Sequence, residues 1–169
     1  DDSTHYTWVN QIEKDEFGNI WVTNPYCEED GNLLAIQSAD DNVWSHVYIP
    51  DDNSYLPQTI AIETLDSYQR AWIGFEYAAN YSSGGIKVFQ YTDSTWLTIV
   101  NPEVLPGNSS TASVWSIVFD HMDFLWVMNE KGIRGLTYSV KDNNIILDPL
   151  LKSIDGTAID FLSHVSYTK

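Results

Sequence analysis

One cysteine, Cys27, stands in 169 residues. That excludes an internal disulfide and a thiolate metal cluster. It does not exclude an oxidising compartment, because a domain with a large enough core needs no covalent staples. Cations are scarce: 8 Lys and Arg stand against 24 Asp and Glu, for a net charge of −16. A surface of that sign repels phosphate backbones and anionic headgroups, which argues against nucleic acid and lipid surfaces as partners. No run of eighteen apolar residues occurs, so no membrane insertion of this segment is expected. The four histidines, His5, His46, His121 and His164, are scattered, and no H-E-x-x-H or C-x-x-C pattern offers a zinc site. No G-x-S-x-G elbow supports a hydrolase serine. Gly84-Gly85 is too short for a phosphate loop. The chain opens at Asp1 without a basic-then-apolar leader and stops at Tyr167-Thr168-Lys169 inside a strand-like pattern. A processed protein or an excised piece is therefore expected.

What the chain has is aromatic and apolar. Hydrophobic residues make up 43%, and aromatics 14%, with seven Trp and ten Tyr. That is enough for one globular core, and the aromatic and β-branched enrichment favours strands. Anchoring on Trp exposes a repeat. Val9 to Val22, Ile60 to Ile73 and Val114 to Val127 each place a β-branched residue twelve before a Trp, an Asp six before it (Asp15, Asp66, Asp120), and a β-branched residue just after it. Trp21, Trp72 and Trp126 are spaced 51 and 54 residues apart. A second register adds Trp44 and Trp96, each followed six residues later by a proline, Pro50 and Pro102. Between the two sets lie Gly-led apolar stretches at Gly31–Ile36, Gly84–Phe89 and Gly132–Tyr138. The third repeat has no second Trp, and Ile145-Ile146-Leu147 occupies that region.

Each repeat reads as four short strands. The first ends at the Asp, which can accept backbone N–H groups at the head of a tight turn. Gly18 supplies a left-handed residue in the first turn, and Asp123 tolerates that region in the third. The second strand carries the Trp, the Gly-led stretch is the third, and a proline marks the exit of the fourth. About fifty residues and four strands per unit is the pattern of a propeller blade. The fold class expected is all-β: a partial β-propeller of about three four-stranded antiparallel blades plus the start of a fourth. The repeats run approximately 8–55, 56–112 and 113–153, with 154–169 starting the next. Known propellers use roughly four to eight blades, so the remaining blades of the ring are expected as partners, from flanking sequence or from further copies. A β-sandwich ranks second, since it does not require the sequence itself to repeat. A helical solenoid is disfavoured, because no segment sustains helical periodicity.

Trp21, Trp72 and Trp126 are expected to pack between neighbouring blades and not to stack on ligand. Trp8 and Trp115 fall outside the shared register and are better candidates for a surface role than the register Trp residues, but core packing is the favoured expectation for them too. Asp120-His121-Met122-Asp123 has a metal-like look but coincides with the turn, where hydrogen bonding explains its Asp. The acidic loops Glu28–Gly31, Asp40–Asn42 and Asp51–Asn53 lack EF-hand spacing and read as solvated turns. Asn80-Tyr81-Ser82 and Asn108-Ser109-Ser110 fit a glycosylation sequon, relevant only on a eukaryotic secretory route. No catalytic, cofactor-binding or metal residue is assigned, no cofactor is expected, and ligand-binding residues are not identifiable from the pattern.

The run V-x-x-I-x-x-D-x-x-G-x-I-W-V at Val9 to Val22 resembles the two-component regulator propeller repeat. Trp72-Ile73-Gly74 followed by Gly84-Gly85-Ile86, and Trp126-Val127 followed by Gly132-Ile133, are similar to that family's continuation. Thr23-Asn24 and Met128-Asn129 replace its usual Gly-Thr. The resemblance covers essentially the whole chain and implies a bacterial, extracytoplasmic location in the periplasm or on the outer cell surface. Two kinds of protein carry such repeats: PorZ-like propellers of the type IX secretion system, and periplasmic sensor regions of hybrid histidine kinases, which detect glycan fragments. The insert between Trp72 and Gly84, the strand Gly84 to Tyr91, and the approach Leu105-Pro106-Gly107-Asn108 look more like the first kind. The resemblance thus implies a non-enzymatic binding or assembly module with protein partners at the cell surface. A glycan-binding sensor domain is the alternative, and a propeller-type lyase or hydrolase ranks behind both.

Overall fold

The computed structural model describes residues 9–24, 34–48, 56–63, 68–76, 84–108 and 111–150, with the backbone of 152–154 and 157–159. Several sequence expectations fall outside these residues: Trp8, Cys27, Pro50, Asp66, His5, His164, the acidic loops at 28–31 and 51–53, the sequon at 80–82, and most of the segment 154–169. Among the described residues, no helix is long and apolar enough to cross a membrane.

The chain is all-β. Strands β1 (Gln11–Lys14), β2 (Ile20–Thr23), β3 (Leu34–Gln37) and β4 (Trp44–Val47) form a four-stranded antiparallel meander. Strands β5 (Leu56–Glu63), β6 (Arg70–Glu76), β7 (Gly85–Gln90) and β8 (Thr95–Ile99) form a second. Strands β9 (Val114–Phe119), β10 (Leu125–Asn129), β11 (Gly132–Lys141) and β12 (Asn144–Pro149) form a third. A short hairpin, β13 (Lys152–Ile154) with β14 (Thr157–Ile159), follows.

The second and third meanders are not separate sheets, which departs from the expectation of three independent blades. β8 and β12 pair in parallel, Thr98 opposite Asn144 and Ile99 opposite Ile145. The result is one eight-stranded sheet in the order β5-β6-β7-β8-β12-β11-β10-β9. Its end strands β5 and β9 face each other, so the sheet nearly closes on itself like a flattened barrel. The reason lies partly in Asn101. Its amide donates to Leu147 O (2.6 Å) and accepts from Leu147 N (2.8 Å), acting as one more residue of the ladder. The connection that follows is folded into two 3-10 turns, Pro102–Val104 and Pro106–Asn108, and is tied down by Arg134 Nη1 to Val104 O and by Asn129 Nδ2 to Pro106 O.

The turns explain the repeated Asp. Asp15 Oδ1 accepts from Phe17 N (3.0 Å) and Asn19 N (2.8 Å), and Asp15 Oδ2 accepts from the Trp21 indole (2.9 Å). Asp120 does the same with Met122 N, Phe124 N and the Trp126 indole (2.9, 3.1 and 2.8 Å). One carboxylate thus closes the turn and aims the tryptophan. Gly18 (φ 90°) and Asp123 (φ 62°) occupy the same left-handed place in their turns. In the second meander, whose Asp66 lies outside the described residues, the Trp72 indole donates to Glu63 Oε2 (3.2 Å), nine residues upstream.

Strand alternation gives each meander two faces, and each buries the face that meets a neighbour, the second burying both. The Trp21 face of the first packs on the Ile60, Ile73 and Phe89 face of the second. The Trp72 face of the second packs on Ile117, Leu125, Leu136 and Leu147 of the third. Trp21 meets Phe89 and Tyr91 edge-on, with ring centroids 6.4 and 5.4 Å apart, and Trp72 meets Phe119 and Tyr138 at 6.0 and 4.9 Å. Both indoles are fully buried, as expected for packing between units. Gly74 is small for a reason. A Cβ there would lie 2.6 Å from both Thr59 Cγ2 and Val114 Cγ1, where β6 meets the third meander.

Candidate functional site

Clefts open between the meanders, among them two lined by described residues. The more polar one, about 520 Å³, lies between the second and third, at the end of the sheet that carries the β5–β6, β7–β8 and β11–β12 turns. It is floored by an ion pair. Arg70 Nη1 lies 3.0 Å from Glu63 Oε1, and these side chains are 3% and 2% exposed. Burial is tolerable because both groups are otherwise satisfied. Glu63 also accepts from the Trp72 indole, and Arg70 Nε donates to Gln90 Oε1 (3.1 Å). Gln90 passes the chain on, its Nε2 donating to Asp93 Oδ2 (2.8 Å). Strand register builds this cluster: Arg70 is opposite both Glu63 and Gln90, so all three project from the Trp72 face.

The walls add an aromatic ring and a turn. The Arg70 guanidinium carbon lies 5.4 Å from the centroid of the half-exposed Tyr68 ring. Opposite, Ser139, Asp142 and Asn143 come from the β11–β12 hairpin, whose Asp142 and Asn143 are both left-handed (φ 51° and 60°), as a two-residue type I′ turn requires. Three carboxylates surround one arginine that is already paired. Chemically the cleft supplies acceptors, amides and an aromatic ring, which suits recognition of a hydroxyl-bearing or cationic ligand.

The second cleft, about 480 Å³, opens between the first and second meanders. Its floor is Ile36, Val47 and Phe89, its walls Tyr48, Tyr91 and Trp96, and its rim Ser45, His46 and Ser94. Trp96 Nε1 donates to Tyr48 O (3.1 Å), bridging the two meanders across the opening.

The residues singled out in the sequence go elsewhere. Asp120, His121 and Asp123 sit in an exposed turn, and both Asp120 oxygens are engaged. The indole bond from Trp126 is the largest influence holding the Asp120 carboxyl below its usual range. Asp41 is also lowered, first by the Val43 backbone N–H it accepts. Among the described residues, no three His, Cys, Asp or Glu side chains converge on a possible metal position. His46 is exposed on the rim of the aromatic cleft, and Trp115 is 45% exposed. The Glu63–Arg70–Gln90 cluster was missed in the sequence. The usable signal was Arg70, a rare cation two residues before a register Trp in a strand otherwise buried.

No protein-family model matches the chain, and no curated protein matches it.

Proposed function

We propose that this chain is part of a β-propeller of the two-component regulator type and serves as a non-catalytic binding and assembly module outside the cytoplasm. The observation that carries the reading is the repeated wedge. Two successive meanders each bury a register Trp, edge-on, against a tyrosine of the next unit, the arrangement that fans blades around an axis. Under this reading the units are the repeats near 8–55, 56–112 and 113–153, and the PorZ-like role with protein partners at the cell surface is preferred.

A glycan-binding sensor role is the second reading, favoured by the polar cleft. Acceptors and amides from Asp93, Gln90 and Asn143 beside an exposed tyrosine ring form a surface of the kind that holds sugar hydroxyls and stacks a pyranose. A panel of soluble oligosaccharides tested by thermal shift separates the readings. A specific rise in Tm that disappears in Asp93→Ala and Tyr68→Ala favours the sensor role. No shift with any sugar favours assembly. Turnover of any of these sugars by the purified chain contradicts both.

A further inference from the structure

The Trp face of the third meander has no covering sheet among the described residues. Pairing places Val118, Trp126 and Gly135 side by side on it, and Ile146, opposite Ser139, projects from the same side. Trp21 and Trp72 are fully buried, whereas Trp126 is only half-buried, and Val118 and Ile146 are 50% and 38% exposed. The indole is nevertheless already set for packing. Asp120 holds its nitrogen, and its six-membered ring lies against Gly135, where a Cβ would come within 3.1 Å of Cη2 and Cζ3.

The two covered faces show what such a face accepts. Register makes Ala39, Tyr91 and Tyr138 equivalent, each three residues beyond the partner of its register Trp: Ile36, Val88 and Gly135. Tyr91 receives Trp21 and Tyr138 receives Trp72. Seven residues before each register Trp stand Lys14, Leu65 and Phe119, and Phe119 is the second ring on Trp72. The first meander therefore carries Ala39 and Lys14, both exposed, where an acceptor needs rings.

We infer that the Trp126 face is a docking surface for a further β-sheet unit that presents a tyrosine edge-on at the place Tyr91 and Tyr138 hold, and that it does not accept the first meander of a second copy. This rests on the wedge reading proposed above and adds the chemistry that selects the partner. The occupant is a fourth repeat with an aromatic residue at that position, because the two established interfaces are continued by it without change.

The test uses the intact chain. Wild type, measured by sedimentation velocity up to its solubility limit, is expected to remain monomeric, with Trp126 open to acrylamide quenching in a variant in which the exposed Trp44 and Trp115, and also Trp8, are replaced by Phe. Ala39→Tyr with Lys14→Phe turns the first meander into an acceptor. That variant is expected to associate head to tail as concentration rises and to lose quenching of Trp126, and Trp126→Ala on top of it is expected to abolish the association. Both changed positions are exposed, and circular dichroism with thermal melting verifies the fold. Wild-type association abolished by Trp126→Ala would overturn the inference by making a second copy the occupant. A folded double variant that stays monomeric would overturn the aromatic rule. A fourth repeat in the flanking gene sequence that lacks an aromatic residue at this position would overturn the inference while leaving the propeller reading intact. No flanking repeat at all would refute the propeller reading together with the fourth repeat as occupant, whatever the double variant does.

Discussion

The contact between the second and third meanders is built differently from that between the first and second. Both bury a tryptophan against a tyrosine. Among the described residues, only the former adds strand-to-strand backbone bonds at its outer edge: Thr98 N to Asn143 O and Val100 N to Ile145 O, each 3.0 Å, beside the β8–β12 ladder. Gly85 N to Ala112 O (2.9 Å) adds another where the third unit begins. The first meander is held mainly through side-chain amides. Gln11 donates to Ile60 O (2.8 Å) and accepts from Ile60 N (3.0 Å), while Asn10 reaches Pro57 O and Gln58. At the outer edge, among the described residues, an indole bond from Trp96 to Tyr48 O spans the place that in the other interface is closed by a ladder. Backbone ladders are cooperative with the sheets they join, and side-chain clamps are not. The same wedge thus serves once as a fused joint and once as a hinge-like seam with an aromatic cleft in it.

The largest effect separating the two joints is expected from the tryptophans. Trp72→Ala removes a fully buried ring at the fused joint and should destabilise by about 3–5 kcal/mol in urea unfolding. Trp126→Ala, at the uncovered face, should have a much smaller effect. Equal losses would contradict the assignment of covered and open faces. Next comes the ion pair beneath the polar cleft. Arg70→Ala strands Glu63 in a buried site and should cost about 3 kcal/mol, part of which Glu63→Gln should restore. A neutral result would mean that water reaches the pair freely.

The amide clamps give a smaller, directly comparable pair. Asn101→Ala and Gln11→Ala each free one buried N–H and one C=O, worth about 1–2 kcal/mol together. The first should raise amide exchange at Leu147 and the second at Ile60. The smallest effect is acid-dependent. The Asp120 carboxyl is lowered chiefly by the Trp126 indole, so its stabilisation is complete above the ordinary aspartate range and lost as pH falls through the folded value. Tryptophan fluorescence of the variant lacking Trp8, Trp44 and Trp115 should change in that acid window and should not change there once Asp120→Ala is added.

Much of this was legible from Trp spacing and turn chemistry. The Asp six residues before Trp21 and Trp126 does accept the turn N–H groups, and Asp123 does take the left-handed place. The indole bond to the same Asp was not legible, because sequence order does not reveal that the turn folds back over the ring. Nor was the fusion of β8 with β12. It depends on Asn101 imitating a strand residue, and an isolated Asn before a proline reads only as a turn. The Arg70–Glu63 floor was hidden because pairing register, not motif spacing, brings those residues together.

Native-state hydrogen exchange tests the contrast between the joints most directly. The account predicts that amides of β2 and β3, such as Val22 and Ile36, exchange through an opening of lower free energy than those of β7 and β11, because the first meander can detach while the fused pair stays folded. A single opening free energy shared by all three meanders would contradict it.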